Sequence, residues 1–102
     1  MGKLKIKDGS PYVIIRGKDS GAFSGFLIKK EGTECTLDNT RRLWHWEGAA
    51  SLSQLAIEGV KSPKKCKFTI ETMGHTILDC IEIIPCTQNA YINIKNVDLW
   101  KQ

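Results

Sequence analysis

The sequence predicts an α+β domain: a mostly antiparallel sheet of about five to six strands, one short central helix at about 52–58, and a candidate C-terminal helix. Three observations lead there. Short β-branched and aromatic runs recur between Gly, Asp and Asn turn signals over the first half of the chain. A single helix signature follows, with Ser51 as cap, Gln54 three residues on, and Leu52, Leu55 and Ala56 at helical spacing before Gly59. At 102 residues, 41% hydrophobic and 25% charged, the chain is one globular domain with enough apolar material for one core.

Taken in order, residues 1–10 are polar and read as a mobile arm or an edge strand. Tyr12-Val13-Ile14-Ile15-Arg16 is a β-branched run expected as a buried strand, and 17–21 is a turn. Ala22 to Lys30 is a second strand, in which Gly25 marks a bulge or a close backbone approach. Glu31-Gly32 turns the chain into Thr33 to Leu37, Asp38-Asn39 is read as a further turn, and Arg41 to Trp46 as the fourth strand. After the helix, 61–65 is an exposed basic loop and 66–71 alternates as a strand. Met73-Gly74-His75 reads as a turn. Thr76 to Ile84 is the strongest apolar run and is expected as one central strand ended by Pro85. Thr87 can cap a last helix over 88–94, although Tyr91, Asn93 and their neighbours Ile92 and Ile94 alternate as a strand would. Val97, Leu99 and Trp100 are expected to tack the C-terminus onto the core.

Several function classes find no support. No apolar run reaches the length of a membrane span and no secretory leader is visible, so no membrane partner is expected. Cys35, Cys66, Cys80 and Cys86 have no C-x-x-C spacing, which argues against a metal site and for free thiols in a reducing compartment. No nucleophile elbow, zinc-protease helix, P-loop or dinucleotide fingerprint is present. Catalytic residues, cofactor and metal are therefore all expected to be none. The formal charge of +4 gathers in Lys3/Lys5/Lys7, Lys29/Lys30, Arg41/Arg42 and the loop carrying Lys61, Lys64, Lys65 and Lys67. Such a balance suits acidic partners, and equally a solvated surface.

The segment Arg41-Arg42-Leu43-Trp44-His45-Trp46-Glu47-Gly48-Ala49-Ala50-Ser51 holds two of the three tryptophans and two of the three arginines. Strand alternation puts Arg42, Trp44 and Trp46 on one side and Arg41, Leu43 and His45 on the other. An aromatic row can stack on a base, arginine can grip a phosphate, and a helix start near Gly48 and Ser51 can meet an anion. Arg41, Arg42, Trp44, Trp46, Gly48 and Ser51 are thus the candidate ligand-binding residues. The competing reading is an ordinary core strand with surface arginines.

These residues also carry a resemblance. The R-R-x-W-x-W-x-G-A-x-S-L pattern of Arg41 to Leu52, the blocks Tyr12 to Arg16 and Gly21 to Gly25, and Glu82 to Thr87 are similar to a family of small tailed-phage and prophage proteins catalogued as a domain of unknown function. The resemblance covers roughly residues 12–95. Its members tend to end in a charged, Ala-rich helix, where this chain has Tyr91-Ile92-Asn93-Ile94. The resemblance implies a phage accessory protein in the host bacterial cytoplasm. Small phage proteins of this kind often counter host defence. The expectation is a non-enzymatic homo-oligomer that sequesters a nucleotide-type immune signal. The alternatives are a protein-binding inhibitor of a host protein and a nucleic-acid-binding module built on the lysine loop.

Overall fold

The computed structural model describes residues 5–6 and 9–101. Among the described residues, seven strands and two helices follow one another as β1 (Lys5–Ile6), β2 (Ser10–Gly17), β3 (Gly21–Glu31), β4 (Glu34–His45), α1 (Leu52–Glu58), β5 (Lys67–Phe68), β6 (His75–Ile77), β7 (Cys80–Pro85) and α2 (Gln88–Lys95), with a 3₁₀ turn at Pro63–Lys65. All the strands pair antiparallel in one sheet, ordered β1-β2-β3-β4-β5, with β6 on β4 and β7 on β2. The fold is the α+β class the sequence predicts. Of residues 1–10, Lys5 and Ile6 form an edge pairing with Pro11 and Ser10, and 1–4 and 7–8 lie outside the described residues.

The continuous apolar run of β2 is explained by burial on both faces. Tyr12 and Ile14 point into a core with Ala22, Phe26, Leu43 and Phe68, roofed by Leu55 and Ala56 of α1 and by Ala90 and Ile94 of α2. Val13 and Ile15 point the other way, onto Phe23, Cys35, Leu37, Ile77 and Cys80. Among the described residues no helix covers this second face. Instead the long β3–β4 hairpin curls until its tip meets the segment before β7. The Cys80 N–H donates to the Thr33 carbonyl at 3.0 Å, and the Thr33 hydroxyl to the Leu78 carbonyl at 3.0 Å.

That curl depends on a bulge. Ser24 faces Arg41 and Phe26 faces Asp38, so Gly25 lies opposite both Asn39 and Thr40. Asp38-Asn39 is therefore not a turn between strands. Asn39 takes a left-handed φ of 51°, and β4 continues through it. A Cβ on Gly25 would sit 2.9 Å from the Asp38 carbonyl oxygen and 3.1 Å from the Leu37 Cβ, which is the close approach expected at this glycine.

The run Thr76 to Ile84 is not one central strand. It divides into β6 and β7, which serve opposite sides of the sheet. Asp79 causes the break. Its carboxylate accepts from the Asp19 N–H at 2.7 Å, the Ser20 N–H at 3.0 Å and the Ser20 hydroxyl at 2.5 Å, so Asp79 leaves the ladder to hold the 17–21 turn, while the Leu78 carbonyl takes the Thr33 hydroxyl. The 66–71 strand shrinks to Lys67–Phe68. The helix signatures hold. The Ser51 hydroxyl accepts from the Gln54 N–H at 3.1 Å, and Gly59 ends α1 at φ 77°. Thr87 caps α2 by accepting from the Ala90 N–H at 3.1 Å, so tertiary packing decides for helix where the alternation was ambiguous. The four cysteines are free and buried.

Gly25→Ala is expected to destabilise the protein by about 1–3 kcal/mol, because the added methyl meets backbone that can yield only by straightening the bulge. A lowered urea midpoint with unchanged m-value checks this; an unchanged midpoint refutes it.

Candidate functional site

The arginine pair divides across the sheet. Arg41 turns to the helix face and is 1% exposed. Its Nε donates to the Thr69 carbonyl at 2.8 Å. One Nη donates to the carbonyls of Ile94 at 2.7 Å and Val97 at 2.9 Å, and the other to those of Phe68 at 3.0 Å and Asp98 at 3.3 Å. These carbonyls lie at and just past the ends of α2 and β5, where regular pairing stops; those of Phe68 and Ile94 also accept from the Trp100 N–H at 2.9 Å and the Val97 N–H at 3.2 Å. Burial lowers the Arg41 pKa, with Tyr12, Glu71 and Asp98 opposing; a guanidinium nevertheless stays charged. Arg41 is a structural cation with every donor direction in use, and the expected grip on a ligand phosphate does not form there.

Arg42 takes the opposite face. Its guanidinium lies over the Phe23 ring at 4.5 Å and donates to the Ser20 carbonyl at 2.6 Å. It borders a hollow of about 360 Å³ with Asp19, Ser20, His75 and Asp79. Here the Ser20 hydroxyl, then the Asp19 and Ser20 N–H groups, hold the Asp79 carboxyl below the usual range. Burial, with Arg42 beside it, lowers His75, whose Nδ1 lies 2.8 Å from the Thr72 hydroxyl.

The Arg42–Trp44–Trp46 row does not form, because β4 ends at His45 and the chain bends away. Trp44 is 63% exposed and stacks on Trp100, with centroids 6.1 Å apart and planes 15° apart. Trp46 folds onto the helix-side core. The two indoles nevertheless meet along one concavity. A hollow of about 400 Å³ is lined by Trp44, Trp46, Leu43 and Leu52 on one side and by Arg16, Gly17, Lys18, Asp19, Gly21 and Ala22 on the other. Its cations are Arg16, at the end of the β2 run, and Lys18, in the turn after it, neither of which sequence reasoning singled out. The available signal was that basic residues flank Gly17, where the strand gives way to the turn.

Gly48 and Ser51 serve the fold. The Gly48 carbonyl accepts from the Lys61 N–H at 3.2 Å, and a Cβ on Gly48 would collide with the Lys61 and Ser62 backbone. The Ser51 hydroxyl is occupied by the Gln54 N–H, and α1 is only 7 residues long, so the expected anion seat at this helix start is not built. Lys61, Lys64, Lys65 and Lys67 are all exposed. Among the described residues no cluster of His, Cys, Asp and Glu could hold a metal. Burial pushes the Cys86 thiol up to about 12 and that of Cys35 to about 11, and raises Cys66, so these three stay protonated.

A family model for a domain of unknown function (DUF6948) matches residues 10–94. The chain belongs to this family. No curated protein and no solved structure matches it. No helix among the described residues is long and apolar enough to cross a membrane.

Two outcomes test this assignment of roles. Arg41→Met is expected to destabilise the fold by about 3–5 kcal/mol, since it strands buried carbonyls at the end of α2; a urea midpoint within error of wild type contradicts it. His75 binds its proton less readily folded than unfolded. Stability is therefore complete above the unfolded value of about 6.5 and declines as pH falls below it. Urea midpoints between pH 7.5 and 5 should fall in wild type and fall less in His75→Gln.

Proposed function

We propose that this protein is a non-enzymatic binding protein of phage origin that sequesters a nucleotide-type small molecule, a host immune signal, in the Trp44–Trp46 hollow. The observation that carries the reading is the composition of that hollow: two indoles and Leu52 facing Arg16 at the end of β2 and Lys18 in the turn that follows. Aromatic walls suit a base, which gains about 1–3 kcal/mol from each stacking contact. The cations suit phosphate, and the Asp19 carboxylate suits a ribose hydroxyl. A volume of about 400 Å³ falls in the range of small-molecule pockets. The turn is held by the Asp79 carboxylate and, through the Ser20 carbonyl, by Arg42, so Lys18 is presented on a fixed support, as Arg16 is by β2.

Calorimetry with a panel of cyclic and linear nucleotides and ADP-ribose should show at least one stoichiometric ligand at micromolar concentration. Lys18→Glu, at an exposed position, should weaken it ten-fold or more without lowering the thermal midpoint. A panel with no binder ends this reading, and so does a ligand indifferent to the Lys18 reversal. A host protein recovered in stoichiometric amount in place of a small ligand would favour an inhibitor of that protein.

A further inference from the structure

We propose that the outer face made by Trp44, Trp100 and Lys67, continued by the lysine loop at Lys61, Lys64 and Lys65, binds single-stranded nucleic acid. This face is separate from the hollow's cationic side and uses none of its charges. Trp44 and Trp100 form a near-parallel indole pair, 63% and 38% exposed, with Leu99 half-exposed beside them. The parallel bridge of Phe68 to Leu99 and the bond from the Trp100 N–H to the Phe68 carbonyl at 2.9 Å fix Trp100 against β5. The Lys67 ammonium lies 5.4 Å from the Trp100 ring centre. From there the chain runs back along the end of β4. The Cys66 thiol donates to the Glu47 carbonyl and the Lys61 N–H to the Gly48 carbonyl, which sets the lysine loop just past the indoles.

Charge selects the partner. Among the described residues none of these four lysines has a carboxylate within ion-pair distance. The Glu47 carboxylate lies 3.2 Å from the His45 Nε2, and the Asp98 carbonyl accepts from the buried Arg41. Lysine is depleted at protein–protein interfaces, which disfavours a protein on this face. Flat exposed rings flanked by cations are the elements of single-strand binding, where bases stack and lysines follow the phosphates. A duplex keeps its bases stacked internally and offers these rings nothing.

The test is fluorescence anisotropy of labelled oligo-dT and oligo-rU of about 12 nucleotides, a length within the usual single-strand site range, read alongside tryptophan quenching. Binding should be clear at 50 mM salt and fall steeply by 200 mM, with a log–log slope of about −2 to −3 for three to four phosphate contacts. Trp100→Ala should weaken it about ten-fold or more. Lys64→Glu/Lys65→Glu, at exposed positions that leave folding intact, should weaken it further and flatten the slope. Lys18→Glu should leave it unchanged, which separates this face from the nucleotide hollow. No binding at 50 mM salt overturns the proposal. So does equal binding of a duplex, or wild-type affinity in both the Trp100 and the Lys64/Lys65 variants.

Discussion

A single buried guanidinium joins parts of this molecule that the chain alone would leave apart. Arg41 projects from the middle of the longest strand and donates to carbonyls of Phe68 and Thr69 on one side and of Ile94, Val97 and Asp98 on the other. Those carbonyls lie at and just past the ends of the last helix and of a two-residue strand, where regular backbone pairing stops. Burying a full positive charge is expensive unless all its donors are met. Here the five contacts and the Phe68 ring at 5.5 Å provide that environment. The C-terminal segment is thereby fixed to the sheet, and Trp100 with it.

The placement of Arg41 also settles its neighbours. With Arg41 and Leu43 inward on the helix side, Arg42 must emerge on the other face, where it holds the Ser20 carbonyl. Two hollows result, on either side of the 17–21 turn, and Asp19 borders both. The turn is short, yet it is held from beneath by Asp79. Asp79 left the ladder to do so, and the expected central strand became two edge strands. Gly17 belongs to the same constraint. A Cβ there would overlap the Ser20 hydroxyl and come within 2.7 Å of Asp79.

Much of the fold was legible because it rests on local signals. Ser51, Gln54 and Gly59 delimit α1, and the Tyr12–Ile15 run marks a strand buried on both faces. Gly25 announces a close approach. The Asp38-Asn39 pair carried a true signal of left-handed backbone but not its use, since a turn and a bulge ask the same of Asn39. The candidate site was less legible. Trp44 and Trp46 do border a hollow, but its cations come from Arg16 and Lys18, about thirty residues away in the chain. Trp100 gave no sign that it would reach the fourth strand.

By itself the sequence determined what is encoded within a few residues: the fold class, the caps, the buried strand, and a domain that needs no disulfide. The tertiary structure alone decided which arginine is sealed in, which indoles meet, and where the strongest apolar run breaks. Those outcomes turn on whether a distant carbonyl or carboxylate arrives within hydrogen-bond reach of a side chain. Neighbouring residues carry no record of such an arrival, because it is set by how the whole sheet curls.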